Sequence, residues 1–261
     1  MRQIIFVCLC VSSFLQISFC QDSLNYKSKW QVRANAGFNI PITNLLGNGI
    51  TDNLFEYSDH SSYWKIATSF FFRQHWGVEI SYEGIIPKGI SKRANKFIDG
   101  VKMEYNDNYY PIPSTGASYS SGGSGSIGRG LVGVIYRFEQ NRFFIYPKFS
   151  AGIFSFYTDW GNAVLKQKNS NNVFKITYDT ERRPHDRFVT AISTAAGYRL
   201  SKRFSLNLDF MTSYYRTNIK FAKSFIDLNT NASTTEQIKY DRNVFTFSIG
   251  AGLIFVMKYR R

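Results

Sequence analysis

From Trp30 onward the chain alternates, residue by residue, between two chemically different sets. The even positions are Trp30, Val32, Ala34, Ala36, Phe38 and Ile40, and the odd ones are Gln31, Arg33, Asn35, Gly37, Asn39 and Pro41. Successive side chains of an extended backbone point to opposite sides, so a period of two over this length is a strand with one apolar and one polar face. The same rhythm returns over Trp64 to Phe72, Trp76 to Tyr82, Gly130 to Phe138, Phe143 to Ile153, Phe188 to Leu200, Phe204 to Tyr214 and Phe245 to Phe255.

The links between these eight segments fall into two classes. Arg73-Gln74-His75, Glu139-Gln140-Asn141 and Ser201-Lys202-Arg203 are short turns, whereas Thr43 to Ser62, Lys88 to Gly128, Asp159 to Asp186 and Arg216 to Arg242 are long loops. Antiparallel neighbours that alternate short and long links place all short turns at one end and all long loops at the other. This is the pattern of outer-membrane barrels, whose short side faces the periplasm. The predicted fold is all-β, an eight-stranded antiparallel up-and-down transmembrane β-barrel over residues 21–261.

Composition excludes the competitors. At 44% hydrophobic and 19% charged residues the chain can bury a core, unlike a disordered tract. No internal apolar run approaches the roughly 20 residues of a membrane helix. A soluble lipocalin shares the periodicity with its faces reversed, and in that reading Phe38, Phe70 and Leu208 line a dry cavity. The polar face argues for lipid outside: it is built of small residues such as Asn35, Ala67, Ser69, Ser81, Ser150, Ser193 and Ser248, which suit the interior of a narrow barrel. Aromatic residues gather at the short-turn ends of the apolar face, where an interfacial girdle belongs: Trp30, Phe72, Trp76, Phe138, Phe143, Tyr198, Phe204 and Tyr259.

The charges lie on the other face. Arg33, Lys65, Glu79, Glu83, Arg137, Lys148, Arg199 and Asp209 point inward, and ions enclosed by a barrel must pair or reach water. With Arg73-Gln74-His75 as the turn, Lys65 falls opposite Glu83 and Ser69 opposite Glu79, which predicts a Lys65–Glu83 ion pair. Arg33, Lys148, Glu79 and Asp209 complete an interior network that reads as a polar plug fixing strand register, since eight strands leave no water-filled channel.

Residues 1–20 read as a cleaved export signal: Arg2, then an apolar stretch around Ile4 to Leu9, then Ser18-Phe19-Cys20 before Gln21. All three cysteines, Cys8, Cys10 and Cys20, fall inside it, so disulfides, Cys-ligated zinc and thiol catalysis are not expected of residues 21–261. Cys20 is alternatively a lipidated first residue, although Phe19 is bulkier than that signal usually tolerates.

The formal net charge is +14, with the basic residues spread around the chain. Lys92, Arg93 and Lys96, with Arg182 and Arg183, are candidates for contact with lipopolysaccharide phosphates, against the plainer reading of solvated basic loops. No recognition motif supports nucleic-acid binding. Asp59-His60-Ser61 and His185-Asp186 are the only candidates for rim catalysis, and adjacent residues of an extended chain point apart. Asp52, Glu56 and Asp59 lack the spacing of a calcium loop. No cofactor or metal is expected.

The opening Val32-Arg33-Ala34-Asn35-Ala36-Gly37-Phe38-Asn39, the closing Ile249-Gly250-Ala251-Gly252-Leu253-Ile254-Phe255 and the signal ending before Gln21 resemble the outer-membrane β-barrel domain family common in Bacteroidota, the PorT-like barrels, related in architecture to OmpA and OmpX. The resemblance implies an integral outer-membrane protein and carries no catalytic residues to transfer. It departs from OmpA in lacking a peptidoglycan-binding domain and in ending with Tyr259-Arg260-Arg261. The expected function is a noncatalytic surface barrel whose partners are outer-membrane lipid, lipopolysaccharide and an extracellular or envelope protein. The alternatives are a rim enzyme of the lipid A acyl hydrolase or acyltransferase kind and the lipocalin-like binder.

Overall fold

A computed structural model describes residues 29–42, 54, 60–87, 90–111, 118–120, 127–180 and 184–257. The export signal, Asp52, Glu56, Asp59, Arg182, Arg183 and Tyr259 lie outside these residues. In chain order the elements are β1 (Trp30–Pro41), β2 (Ser61–Phe71), β3 (Trp76–Ile86), α1 (Ile90–Tyr105), β4 (Tyr109–Pro111), β5 (Ser118–Ser120), β6 (Ile127–Tyr136), β7 (Phe138–Gln140), β8 (Phe143–Phe156), β9 (Trp160–Gln167), β10 (Val173–Asp179), β11 (His185–Arg199), β12 (Phe204–Asp227) and β13 (Ser233–Met257). Among the described residues no helix is long and apolar enough to cross a membrane.

Eight strands close on themselves in the order β1-β2-β3-β6-β8-β11-β12-β13, every neighbouring pair antiparallel, with β13 returning to β1. Closure removes the sheet edges that lipid cannot satisfy. The turn after β2 keeps the register Lys65 opposite Glu83 and Ser69 opposite Glu79. Below β8 the β7 hairpin continues to Gln140 opposite Phe143, leaving Asn141-Arg142 as the turn, with Asn141 at φ 55°. Asparagine tolerates that left-handed backbone, which tight hairpin turns need.

The faces are those of a lipid-facing barrel. Phe188 is 69% exposed, Ile192 67% and Phe38 62%, whereas Arg33, Lys65, Glu79, Glu83 and Asp209 are all buried. The lipocalin-like reading is thereby overturned, because Phe38 and Leu208 lie on the outside and line no cavity. The protein is an eight-stranded up-and-down transmembrane β-barrel. From Phe204 to Tyr214 the wall advances about 33 Å at ~3.3 Å per residue. A tilt of about 40° makes that about 25 Å along the axis, the height of an outer-membrane apolar band.

The lumen is filled in layers. Phe71, Ile135, Phe144, Tyr146, Ala195, Ile254 and Val256 form an apolar plug at the short-turn end. The charged residues occupy the middle, and Tyr63, Ile85, Leu131, Phe154, Met211, Tyr215 and Val244 close the other end. Several of these are large side chains on the face that is otherwise made of small residues. They fit where glycine opposes them: a Cβ on Gly250 would collide with the Tyr63 hydroxyl.

Above the barrel, among the described residues, three of the long-loop regions carry regular structure. Arg216 to Arg242 is a hairpin, not a loop, because β12 and β13 continue without a break from Phe204↔Phe255 to Ile226↔Ser233. The alternation never stops there. Thr217, Ile219 and Phe221 stay buried while Arg216, Asn218 and Lys220 are exposed, so only the outward residues change from apolar to polar as the strand leaves the lipid. β10 adds to β12, β9 to β10, and β4 and β5 to β9. Helix α1 lies against this sheet through Phe97 and Val101, both fully buried with Leu54, Leu165, Ile176 and Phe221. This cap core is continuous with the upper lumen, so cap and barrel form one packed unit.

Candidate functional site

The charges in the middle and upper lumen make two groups. Arg33 Nη2 lies 3.0 Å from Glu79 Oε2, and Lys148 Nζ lies 2.5 Å from Glu79 Oε1. The Ser69 hydroxyl donates to Glu79 over 2.7 Å. Asp209 takes Lys65 Nζ at 2.5 Å and Arg33 Nη1 at 3.6 Å. Higher up, Arg129 pairs with Glu83 at 2.6 Å and donates to Ser213, Thr246, Asn39 and Ser248.

The expected Lys65–Glu83 pair is therefore corrected: the register is right and the partners differ. Glu83 also stands opposite Arg129 on its other neighbouring strand, and guanidinium offers five donors where ammonium offers three. In a narrow barrel the flexible Lys65 stem reaches Asp209, three strands away around the wall. Arg129 is the luminal network residue that sequence reasoning misses. Reading β6 from Gly130 cuts the alternation one step short, whereas the odd-numbered series through Leu131 and Ile135 includes it. Nearer the short turns, Arg199 pairs with Glu139 at 3.0 Å, and Arg137 donates to the Gln74 carbonyl while lying over the Phe71 ring.

Six of the expected girdle residues meet other rings around the short-turn rim, and Phe72 is exposed just past β2. Trp30 meets Phe70, Trp76 packs edge-on to Tyr136, which meets Phe138, Phe143 packs against Tyr198, and Phe204 against Phe255.

On the cap side the apolar wall ends abruptly. Phe188 gives way to Asp186, Ile153 to Ser155, Tyr214 to Arg216 and Phe245 to Asn243, each one outward position further along its strand. Arg216 grips Asp241 with two hydrogen bonds of 2.7 and 2.9 Å, and those bonds hold the Asp241 carboxyl below its ordinary range. Lys239 adds a 3.4 Å contact to the same carboxylate. Lys220 stands directly opposite Lys239 in the ladder.

Within the cap, Lys223 Nζ donates to Glu104 at 3.1 Å and lies over the Tyr105 and Tyr178 rings. Burial pushes both phenols up, Tyr178 furthest, aided there by its hydrogen bond with Tyr105. Burial works against the Lys223 ammonium, but hydrogen bonds to Tyr105 and Glu104 outweigh it and raise the group.

Of the basic candidates, Lys92, Arg93 and Lys96 belong to α1, with the side chains of Lys92 and Arg93 outside the described residues and Lys96 half-buried. The histidines do not converge. His60 is exposed just before β2, and His75 sits at a short turn with Nδ1 2.9 Å from the Arg137 carbonyl. His185 approaches the buried Thr158 hydroxyl at 3.4 Å, while Asp186, on the other face of the strand, accepts a hydrogen bond from Ser155.

No family model and no curated protein matches the sequence. Among solved structures, the chain is similar to a major outer membrane protein from Thermus thermophilus, with 11% identity, 88% of this chain and 99% of that one covered, and a TM-score of 0.43. It is similar to Neisserial surface protein A, with 11% identity, 87% and 97% covered and a TM-score of 0.43. It also resembles the outer membrane protease OmpT from Escherichia coli, with 9% identity, 91% and 99% covered and a TM-score of 0.35. The barrel assignment rests on ladder closure and on the orientation of the faces, not on these likenesses.

Proposed function

We propose that this protein is an integral outer-membrane barrel of the PorT-like kind, noncatalytic, which holds a folded cap at the cell surface as a binding platform anchored to lipopolysaccharide. The observation that carries the reading is the outer wall of β12 and β13 just above the apolar band. There Arg216, Lys220 and Lys239 form an exposed cationic row, and Lys220 faces Lys239 directly. Like charges directly opposite in a ladder are destabilising. Asp241 offsets only part of that repulsion, and an anionic phosphate at headgroup level offsets the rest.

The filled lumen supports anchoring over conduction, since apolar layers cap the ionic middle at both ends. The unbroken β12–β13 ladder supports a platform, because it transmits the rigidity of the barrel to the cap. The test has two parts. A Ser233→Cys variant in intact cells should react with a membrane-impermeant maleimide; reaction only after lysis contradicts the orientation. Replacing Arg216, Lys220 and Lys239 together with Gln should lower co-purifying lipopolysaccharide at least fivefold, with steep salt dependence in the parent protein. Unchanged co-purification contradicts the anchoring role.

A further inference from the structure

The outer wall carries a notch on the side away from the cationic row. Tyr82, Gly128, Gly130, Ile153, Ser155 and Asp186 line a space of about 500 Å³. Its origin is local sequence. Along β6 the outward positions below the notch are Val132 and Val134, but at the top they are Gly128 and Gly130. Two missing side chains in succession leave a recess between the neighbouring strands β3 and β8. A Cβ on Gly130 would meet nothing within 4 Å, while one on Gly128 would lie 2.5 Å from the Tyr82 hydroxyl. The space is therefore open above Gly130 and walled by the Tyr82 ring.

The notch straddles the boundary of the lipid. Ile153 is opposite Gly130 and Phe188 opposite Ile153, which makes the lower row apolar. Ser155 is opposite Gly128 and Asp186 opposite Ser155, which makes the upper row polar. The Asp186 carboxylate accepts from the Ser155 hydroxyl and, among the described residues, forms no ion pair; the Arg187 guanidinium donates instead to the Asp186 and Asn218 backbone carbonyls. Asp186 is exposed, outward-facing and one outward position above Phe188, the last apolar residue on that face of β11. An outward carboxylate set directly above a hydrocarbon-lined recess selects the sign of what enters.

We infer that this notch binds one lipid whose acyl chain fills the recess over Gly130 and Ile153 and whose primary-amine headgroup pairs with Asp186. Continuity with the lipid-facing wall supplies the apolar half of the site, and the Asp186 carboxylate supplies the polar half. The inference rests on the lipid-facing barrel described above and adds to it a defined ligand class.

The experiment is native mass spectrometry of the folded protein in detergent, titrated separately with phosphatidylethanolamine, phosphatidylcholine and phosphatidylglycerol of matched chains. The expected result is a single phosphatidylethanolamine adduct, at least fivefold more abundant than either other adduct. Gly130→Phe should abolish it, and Asp186→Asn should bring the three lipids to within about twofold of one another. Equal adducts in the parent protein, or an adduct undiminished in Gly130→Phe, would overturn the proposal. Each sample is first run unboiled and boiled on a gel. Heat-modifiable mobility in Gly130→Phe shows that it folds, with Gly130→Leu as the milder filling variant should it not. A parent protein without heat-modifiable mobility overturns the barrel itself, which separates that failure from failure of the site.

Discussion

Lys65 stands directly across the ladder from Glu83, yet its ammonium lies 2.5 Å from Asp209, three strands away around the wall. The barrel is so narrow that a lysine reaches across the lumen as easily as along its own sheet, and the network is therefore a cross-brace. Asp209 holds Lys65 and Arg33, and Glu79 holds Arg33 and Lys148. Removing one partner strands a buried charge, which costs about 3–5 kcal/mol.

Asp209→Asn should accordingly lower unfolding stability by about 3–5 kcal/mol in urea titrations of the barrel in lipid vesicles. The double variant Lys65→Met/Asp209→Leu should lose less than the sum of its single variants, because the lysine no longer needs a counter-charge. Additive losses would mean that the two residues do not act as a pair.

Arg129→Lys should fail to substitute for arginine. Arg129 serves Glu83 and four neutral acceptors from a planar fork, a geometry that ammonium does not reproduce. The expected loss is about 2–4 kcal/mol, most of it from acceptors left unpaired in the lumen. Stability equal to the parent protein in the same titration would contradict the assigned role.

The barrel is legible in the sequence and the cap is not, for one physical reason. Lipid forces the outward positions to be apolar, so alternation is visible from Phe204 to Tyr214. Beyond Arg216 water tolerates polar residues on that face, and the same strand reads as a loop although Ile219 and Phe221 continue the buried series. The ionic partners are hidden differently. Parity shows which residues face inward, but the choice of Asp209 for Lys65 depends on curvature that closes only when all eight strands are in place. Arg129 is within reach of parity alone and lies one residue outside the segment that reads as strand.

Cap order gives a third prediction. Limited trypsin treatment of the folded protein should spare Lys220 and Lys223, which lie in the paired β12–β13 ladder, whereas a flexible loop would be cut there within minutes. Phe97→Ala should open the cap, since Phe97 is fully buried against Tyr178 and Gly161. A cost of about 3–5 kcal/mol is expected for such a cavity. Cleavage at Lys220 and Lys223 should then appear, while the barrel keeps its heat-modifiable mobility.

Alkaline pH should loosen the cap. The Lys223, Tyr105 and Tyr178 groups are all raised when folded. A raised group contributes stability that is fully present below its unfolded pKa, about 10 for tyrosine and 10.4 for lysine, and is lost as pH rises through the folded value. Hydrogen-exchange protection of β10 and upper β12, corrected for intrinsic rate, should stay level from pH 6 to about 9 and fall above about 10. Lys223→Met should remove only the lysine's share of that fall and leave the share of the buried phenols, Tyr178 above all. Tyr178→Phe should flatten most of it, and a profile unchanged in Tyr178→Phe would contradict the assignment.

The most direct test of the central claim is gel mobility of the protein from an outer-membrane fraction, boiled against unboiled in SDS, after carbonate washing. A lipid-facing closed barrel predicts a faster unboiled band that remains with the membrane. Release in soluble form with a single mobility would contradict it.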